Sequence, residues 1–407
     1  MIGRIRGPGI GNFRFPSALS LGSLTQHYLR MKTNALPLLA ASLLAASATS
    51  TLAHETGTPH GEVTAATPLA FAVEAKGPIS APKATVLPAG TATTGQGFWK
   101  FVAARDLTPV PPDAVPKLKG AHGTLIVDQS ADIVYWGLEN VGWIGFSNKL
   151  SASWIVQGDP AFAKGNLHGA DIWPRKGKAP LIAAADNNEG HVYLTDTTFQ
   201  KAETLGIPPV EPYADKKGWA PTDVAFTGAK QLFVTDGYGK AYFLPTKTEP
   251  LAYTGKFYGG KKISNTPHGI TYDKRDKSLL VSARPEGEIK RWDRQHEHFT
   301  EIGGLPKGST VCDVDVWGDY ALAPCLNGPD GKPGPIYIVN MKTRSIVSTL
   351  KPKEDLGYAT AQHIHDACWY VTGKGAQREV YVVFTPWNPG DVGALKLVNV
   401  KLVNMKE

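Results

Sequence analysis

Six times along the chain a short β-type run begins at the same kind of position, and four of those six positions are histidine. They are His122 in Ala-His-Gly-Thr-Leu-Ile-Val-Asp, His168 in Leu-His-Gly-Ala-Asp-Ile, Thr222 in Pro-Thr-Asp-Val-Ala-Phe, His268 in Pro-His-Gly-Ile-Thr-Tyr-Asp, Cys312 in Val-Cys-Asp-Val-Asp-Val and His365 in Ile-His-Asp-Ala-Cys-Trp. The successive spacings are 46, 54, 46, 44 and 53 residues. A period near ~45 residues with several short strands per unit is the sequence mark of a β-propeller blade. In a propeller, equivalent positions at the start of each innermost strand converge on the central channel. The chain is therefore expected to be all-β, a six-bladed β-propeller whose axis is ringed by His, His, Thr, His, Cys and His, which is metal-ligand chemistry.

The fourth unit parses completely, with strands at Gly269 to Asp273, Ser278 to Ala283, Glu288 to Asp293 and His298 to Ile302 separated by turn-forming residues. The sixth offers only Ala367 to Val371, Val380 to Phe384 and Ala394 to Leu402, one strand too few. The strand-like Phe98 to Val102 precedes the first unit and is expected to pair onto the sixth, closing the ring and removing its exposed edges. The propeller then occupies residues 96–407.

Met31-Lys32 followed by the apolar stretch Ala35 to Ala48 reads as a secretory signal over residues 31–53, with small residues for cleavage at Ala48 or Ala53. Residues 1–30 then read as a non-native extension, and 54–95, rich in Pro, Gly, Thr and Ala, as a flexible N-terminal segment in which His54 and His60 are solvated. The mature chain is expected in a periplasm or outside the cell. Residues 1–53 hold five of the basic residues and no acid, so their removal leaves 38 basic against 36 acidic residues and no electrostatic case for nucleic acid or a membrane surface. A small-molecule or peptide-like substrate is the expected partner, and nothing in the sequence indicates an oligomeric state.

Several units resemble the catalytic core of peptidyl-α-hydroxyglycine α-amidating lyase, a propeller of the NHL-repeat type. Ala220-Pro221-Thr222-Asp223-Val224-Ala225 followed by Phe233-Val234-Thr235-Asp236-Gly237-Tyr238 looks like the family's blade with a catalytic tyrosine in an Asp-Gly-Tyr turn. His168-Gly169, His268-Gly269-Ile270 and His365-Asp366 are similar to its three zinc histidines, in the same order, and the resemblance implies a structural calcium at Asp366. It covers roughly residues 165–390. Arg284 looks similar to a substrate-holding arginine of the family, in a turn one residue shorter. Three departures stand out: the first-blade arginine is missing from Tyr135 to Asn140, the cysteine after the tyrosine is replaced by Gly239, and His122 is an added axial histidine.

The chemistry can be stated without the family. Three neutral imidazoles leave a position open on Zn²⁺, which lowers the pKa of bound water to about 7 or polarises a substrate oxygen. Tyr238, a phenol with an unperturbed pKa near ~10, would act as a base beside such an ion, and the expected activity is a zinc-dependent, lyase-type cleavage of a carbon–heteroatom bond. A second class stays open: His122, His168, His268 and His365 together would suit non-haem Fe²⁺, in partial resemblance to carotenoid-cleaving oxygenases, and a soft Cys312 ligand would favour copper. A third is a non-catalytic binding scaffold of the NHL type.

Other candidates have plainer readings. Asp223 and Asp313 are expected to cap backbone N–H groups in the turns that follow the axial residues. His363 is off register by two and is expected to line the channel, whereas His191, His296 and His298 read as surface residues. Cys312 and Cys325 flank a hairpin and are placed for either a disulfide or free thiols, and Cys368 reads as a buried thiol. Trp136, Trp143, Trp173, Trp219 and Trp387 fall either in the core or around an apolar pocket.

Overall fold

The computed structural model describes residues 66–79, 87–119, 122–295, 297–374 and 377–398. The expected extension at 1–30, the signal at 31–53, His54, His60 and His296 lie outside the described residues. Among the described residues, no helix is long and apolar enough to cross a membrane.

Six antiparallel sheets form the six blades. Their innermost strands contain Gly123–Asp128, Leu167–Arg175, Asp223–Gly228, Pro267–Asp273, Asp315–Trp317 and Ile364–Thr372. Among the described residues, helix is confined to a five-residue turn at Pro352–Leu356 and three short 3₁₀ segments. Apolar side chains of each blade pack against the next, giving six buried clusters, one at each blade-to-blade interface.

The ring closes as the sequence predicts, with a small shift of register. The strand that pairs with Gly393–Leu397 is Phe101–Ala103, matched Phe101 to Leu397 and Ala103 to Leu395. Phe101 and the preceding Trp99 are fully buried between the fifth and sixth blades, which is why an apolar run sits there.

Part of the segment expected to be a loose arm is instead tied down. Ala70–Phe71 adds a parallel strand outside Ser345–Leu350, while Ala66 and Leu69 are buried against the fourth and fifth blades. Glu74 accepts hydrogen bonds from Tyr320 Oη (2.8 Å) and Asn340 Nδ2 (2.7 Å). Two paired residues and one carboxylate carry no periodicity, so composition alone suggested a linker.

Inner strands face a channel with one unpaired edge each, and this chain covers those edges with aspartates. Asp171 accepts from its neighbour Ile172 N and, across the interface, from Phe226 N (both 2.7 Å). Asp223 does the same with Val224 N and Ile270 N (both 2.7 Å). Asp315 accepts from Trp369 N (2.7 Å) and Asp366 from Leu125 N (2.6 Å). Asp223 is therefore more than the local cap expected of it, since it fastens one blade to the next. The glycine of the His-Gly pairs follows from the same packing. A Cβ at Gly169 would lie 2.4 Å from Asp223 Oδ1, and one at Gly269 would lie 2.4 Å from Asp313 Oδ1, so only glycine lets the next blade's carboxylate approach.

Candidate active site

Because all inner strands start at the same end of the channel, their first residues meet there. His168, His268 and His365 are each 2 % exposed, and His122 is half-buried beside them. Ring centroids lie 4.6 Å apart for His168 and His365, 4.8 Å for His168 and His268, and 5.0 Å for His268 and His365.

Three of these imidazoles are oriented by one device. Each directs Nδ1 at a backbone carbonyl of the next blade: His168 to Thr222 O (2.7 Å), His268 to Cys312 O (2.7 Å) and His365 to Gly123 O (3.2 Å). A carbonyl only accepts, so Nδ1 carries the proton and Nε2 is left as a lone pair. The Nε2 atoms of His168 and His365 are 3.2 Å apart, and Tyr238 Oη lies 3.0 Å from the Nε2 atoms of both His168 and His268. One phenolic proton lies in reach of two of these lone pairs, and the third, on His365, faces the Nε2 of His168. Such a donor set fits a cation, because an ion satisfies acceptors that no available proton can.

The cluster differs in one respect from the expected tripod. Among the described residues, the ligand atoms that lie within 4.8 Å of one another belong to His122, His168 and His365. His268 remains adjacent, but the Tyr238 hydroxyl stands between it and His168. His122 is held differently from the others: Asn166 Nδ2 approaches its Nδ1 at 3.3 Å, and the Trp387 indole stacks on its ring at 5.1 Å. Burial and the nearby Arg284 cation push His122 down to about 4, and burial holds His168, His268 and His365 well below the usual imidazole value. All four are thus neutral at physiological pH, the form that ligates.

Tyr238 is positioned by its turn. Asp236 accepts from Ala220 N (2.7 Å), Lys240 N (2.6 Å) and Tyr213 Oη (2.6 Å), which pins the Asp-Gly-Tyr backbone. A Cβ at Gly239 would come within 2.1 Å of both Asp236 Oδ1 and Gly218 O, so no side chain fits where the resembling family has cysteine. Arg284 donates Nη1–H to Tyr238 Oη at 2.9 Å with its guanidinium over the ring at 5.1 Å. Burial raises the Tyr238 pKa, and Arg284 opposes that rise.

Asp366 lies one residue beyond His365, outside the imidazole cluster, where its carboxyl shares a hydrogen bond with Asp313. Asp313 thus acts chiefly on a second carboxyl, with a bond to Val314 N as its only local cap. A small void of about 20 Å³ between the histidines and this pair has room for a single water-sized species. His363 Nδ1 lies 2.9 Å from Leu326 O, and its ring is 6.0 Å from Trp387, so it lines the same mouth as expected. His191 and His298 lie in other strands, away from the axis. Cys312, Cys325 and Cys368 are buried free thiols, and burial pushes Cys312 up to about 12. Trp136 and Trp143 are core residues, whereas Trp387 reaches the site. Asn166 carries no signal in the sequence as a site residue, and the meeting of distant turns places it beside His122, whereas Trp387 takes the pocket-lining place that was one of its two expected readings.

Enclosure in the channel raises Asp171 to about 6 and Asp315 to about 7. A carboxyl with a raised folded pKa contributes fully below its unfolded value, and that contribution is lost as pH rises to the folded value. Asp315→Asn keeps an acceptor for Trp369 N without ionising. Its melting temperature should therefore gain on wild type by several degrees between about pH 5 and about pH 8. A difference that stays constant across that range would refute the assignment.

No protein-family model matches the chain, and no curated protein matches it. Among solved structures, one described as a "putative gluconolactonase" aligns with a TM-score of 0.46 and 13% identity, covering 74% of this chain and 99% of that chain. A likeness at that level carries no argument about chemistry, and the blades and the axial histidines stand on this chain's own geometry.

Proposed function

We propose that this chain is an exported metal-dependent propeller enzyme of the lyase type, with zinc held by axial histidines and Tyr238 as the base. The observation that carries the reading is the meeting of three Nε2 lone pairs, those of His168 and His268 on a phenol that is itself held by Arg284 and that of His365 against His168. A bound divalent ion would supply Lewis acidity at the histidine face and favour the phenolate. His168, His268 and His365 are the ligands of this reading, with His122 beside them.

The residues' own work follows from their positions. A substrate carrying a hydroxyl and a nitrogen on one carbon places that hydroxyl within reach of Tyr238 Oη. Tyr238 takes the hydroxyl proton, the C–O bond becomes C=O, and the C–N pair leaves with nitrogen. The proton then passes from Tyr238 to the leaving nitrogen, so the products are a carbonyl compound and an amine or amide. Arg284 steadies the phenolate oxygen before the first transfer and again after the second, when Tyr238 has given the proton up. Trp387 and His363 bound the mouth on the side of His122.

An N-acyl-α-hydroxyglycine tests the reaction directly, with release of glyoxylate and the primary amide as the expected result. Tyr238→Phe should retain metal at full occupancy while turnover falls by about 10²-fold or more, the range for a positioned acid or base. Turnover unchanged in that variant would remove the tyrosine from the mechanism. The presence of His122 in the closest imidazole cluster favours a second reading, a non-haem iron or copper oxidoreductase with four histidines. Elemental analysis of protein purified without an affinity tag separates the two. Zinc near one equivalent supports the lyase, iron or copper the oxidoreductase, and no metal the binding scaffold.

A further inference from the structure

The channel widens at the end opposite the histidines into a cavity of about 800 Å³. Its walls hold two equivalent pairs, Asp171 with Trp173 on the second blade and Asp315 with Trp317 on the fifth. In each pair the residues are two apart on an inner strand, so both side chains point to one side. Both aspartates make the same bond, to a backbone N–H of the following blade (Phe226 N and Trp369 N, each 2.7 Å). Blades two and five are three steps apart in a ring of six, so the pairs face each other across the axis.

We infer that this cavity is a second ligand site, independent of the metal reading, which binds a small organic ammonium compound between the two Asp–Trp pairs. Size decides against a bare metal ion. A cage for an ion closes oxygens around it at about 2–2.6 Å, whereas this space falls in the range of small-molecule pockets, about 300–1,000 Å³. Wall chemistry decides the charge: seven carboxyl groups line the cavity against four cations, Lys274, Arg275, Lys374 and Arg378. Carboxylates and tryptophan faces both attract an ammonium group, and neither suits an anion. One ring already shows the preference: the ammonium of Lys274 lies 5.2 Å from the centroid of Trp173. Arg275, the cation next along the rim, is neutralised by Asp273 and Asp319.

Isothermal titration of the full chain with n-butylammonium, against n-butanol as its neutral counterpart, tests the site at a pH above the values to which burial raises Asp171 and Asp315, where both are carboxylates. Saturable binding of the ammonium, and none of the alcohol, is expected. Asp171→Asn with Asp315→Asn should weaken it by about tenfold or more, with metal content and the circular dichroism spectrum unchanged. Trp173→Leu with Trp317→Leu, which leaves every carboxylate bond in place, should weaken it similarly and covers the case in which the double asparagine variant fails to fold. Equal binding of alcohol and ammonium, no saturable heat, or undiminished affinity in the folded variants would overturn the assignment. Loss of metal on substituting the axial histidines would leave ammonium binding intact, so the two sites can fail separately.

Discussion

His168→Ala is expected to lower metal affinity by two orders of magnitude or more, on the scale of about 10²-fold or greater for removing a ligand. His365→Ala and His268→Ala should behave alike, because each removes an Nε2 that its own carbonyl bond aims at the axis. The ring has no spare donor in register, since the two other axial positions hold Thr222 and a Cys312 thiol that burial keeps protonated. His122→Ala should be milder, about tenfold, because its ring is held by Asn166 and Trp387 and three imidazoles remain without it. Competition with a chromophoric chelator measures all four. Unchanged metal content in the His168, His268 and His365 variants would end the metal reading, and a His122 effect as large as theirs would favour four-histidine ligation.

Trp99→Ala should be the most damaging single change away from the site. Trp99 is fully buried where the closing strand joins the fifth and sixth blades, with ring centroids 4.7 Å from Tyr320 and 5.3 Å from Trp369. Truncating a buried tryptophan costs about 3–5 kcal/mol, or a melting temperature lower by roughly 5–8 °C for a chain of this size. Deletion through Ala103 goes further, since it strips the strand from Gly393–Leu397 and leaves that edge open to other chains. Deletion through Gly90 removes the strap on the fourth and fifth blades but keeps the closure, so it should stay soluble and melt higher than the longer deletion. Equal melting of the two deletions would show that the ring does not depend on Phe101–Ala103.

The closing strand was readable because a missing strand in the last unit and a spare one before the first can satisfy each other in only one way. The axial histidines were readable for a related reason: a repeat places equivalent residues equivalently, and four of six in register survive any uncertainty about strand ends. Asp171 and Asp315 carried the same kind of signal, an Asp-x-Trp at one register in two opposite units. That signal does not disclose their use, because their bonds run to backbone N–H groups of another blade, which leave no trace in local sequence.

The sequence by itself determined the number of blades, the way the ring closes and the identity of the residues that surround the axis. Periodicity and residue type suffice for those, since each blade repeats one local solution. Tertiary structure decided how the imidazoles are used. Carbonyls of neighbouring blades orient three of them, the Tyr238 hydroxyl enters between His168 and His268, and the closest set of ligand atoms among the described residues is that of His122, His168 and His365. Those outcomes depend on distances of a few tenths of an ångström between residues that lie 30 to 242 positions apart in the chain, and only the packing of six blades around a common axis sets them.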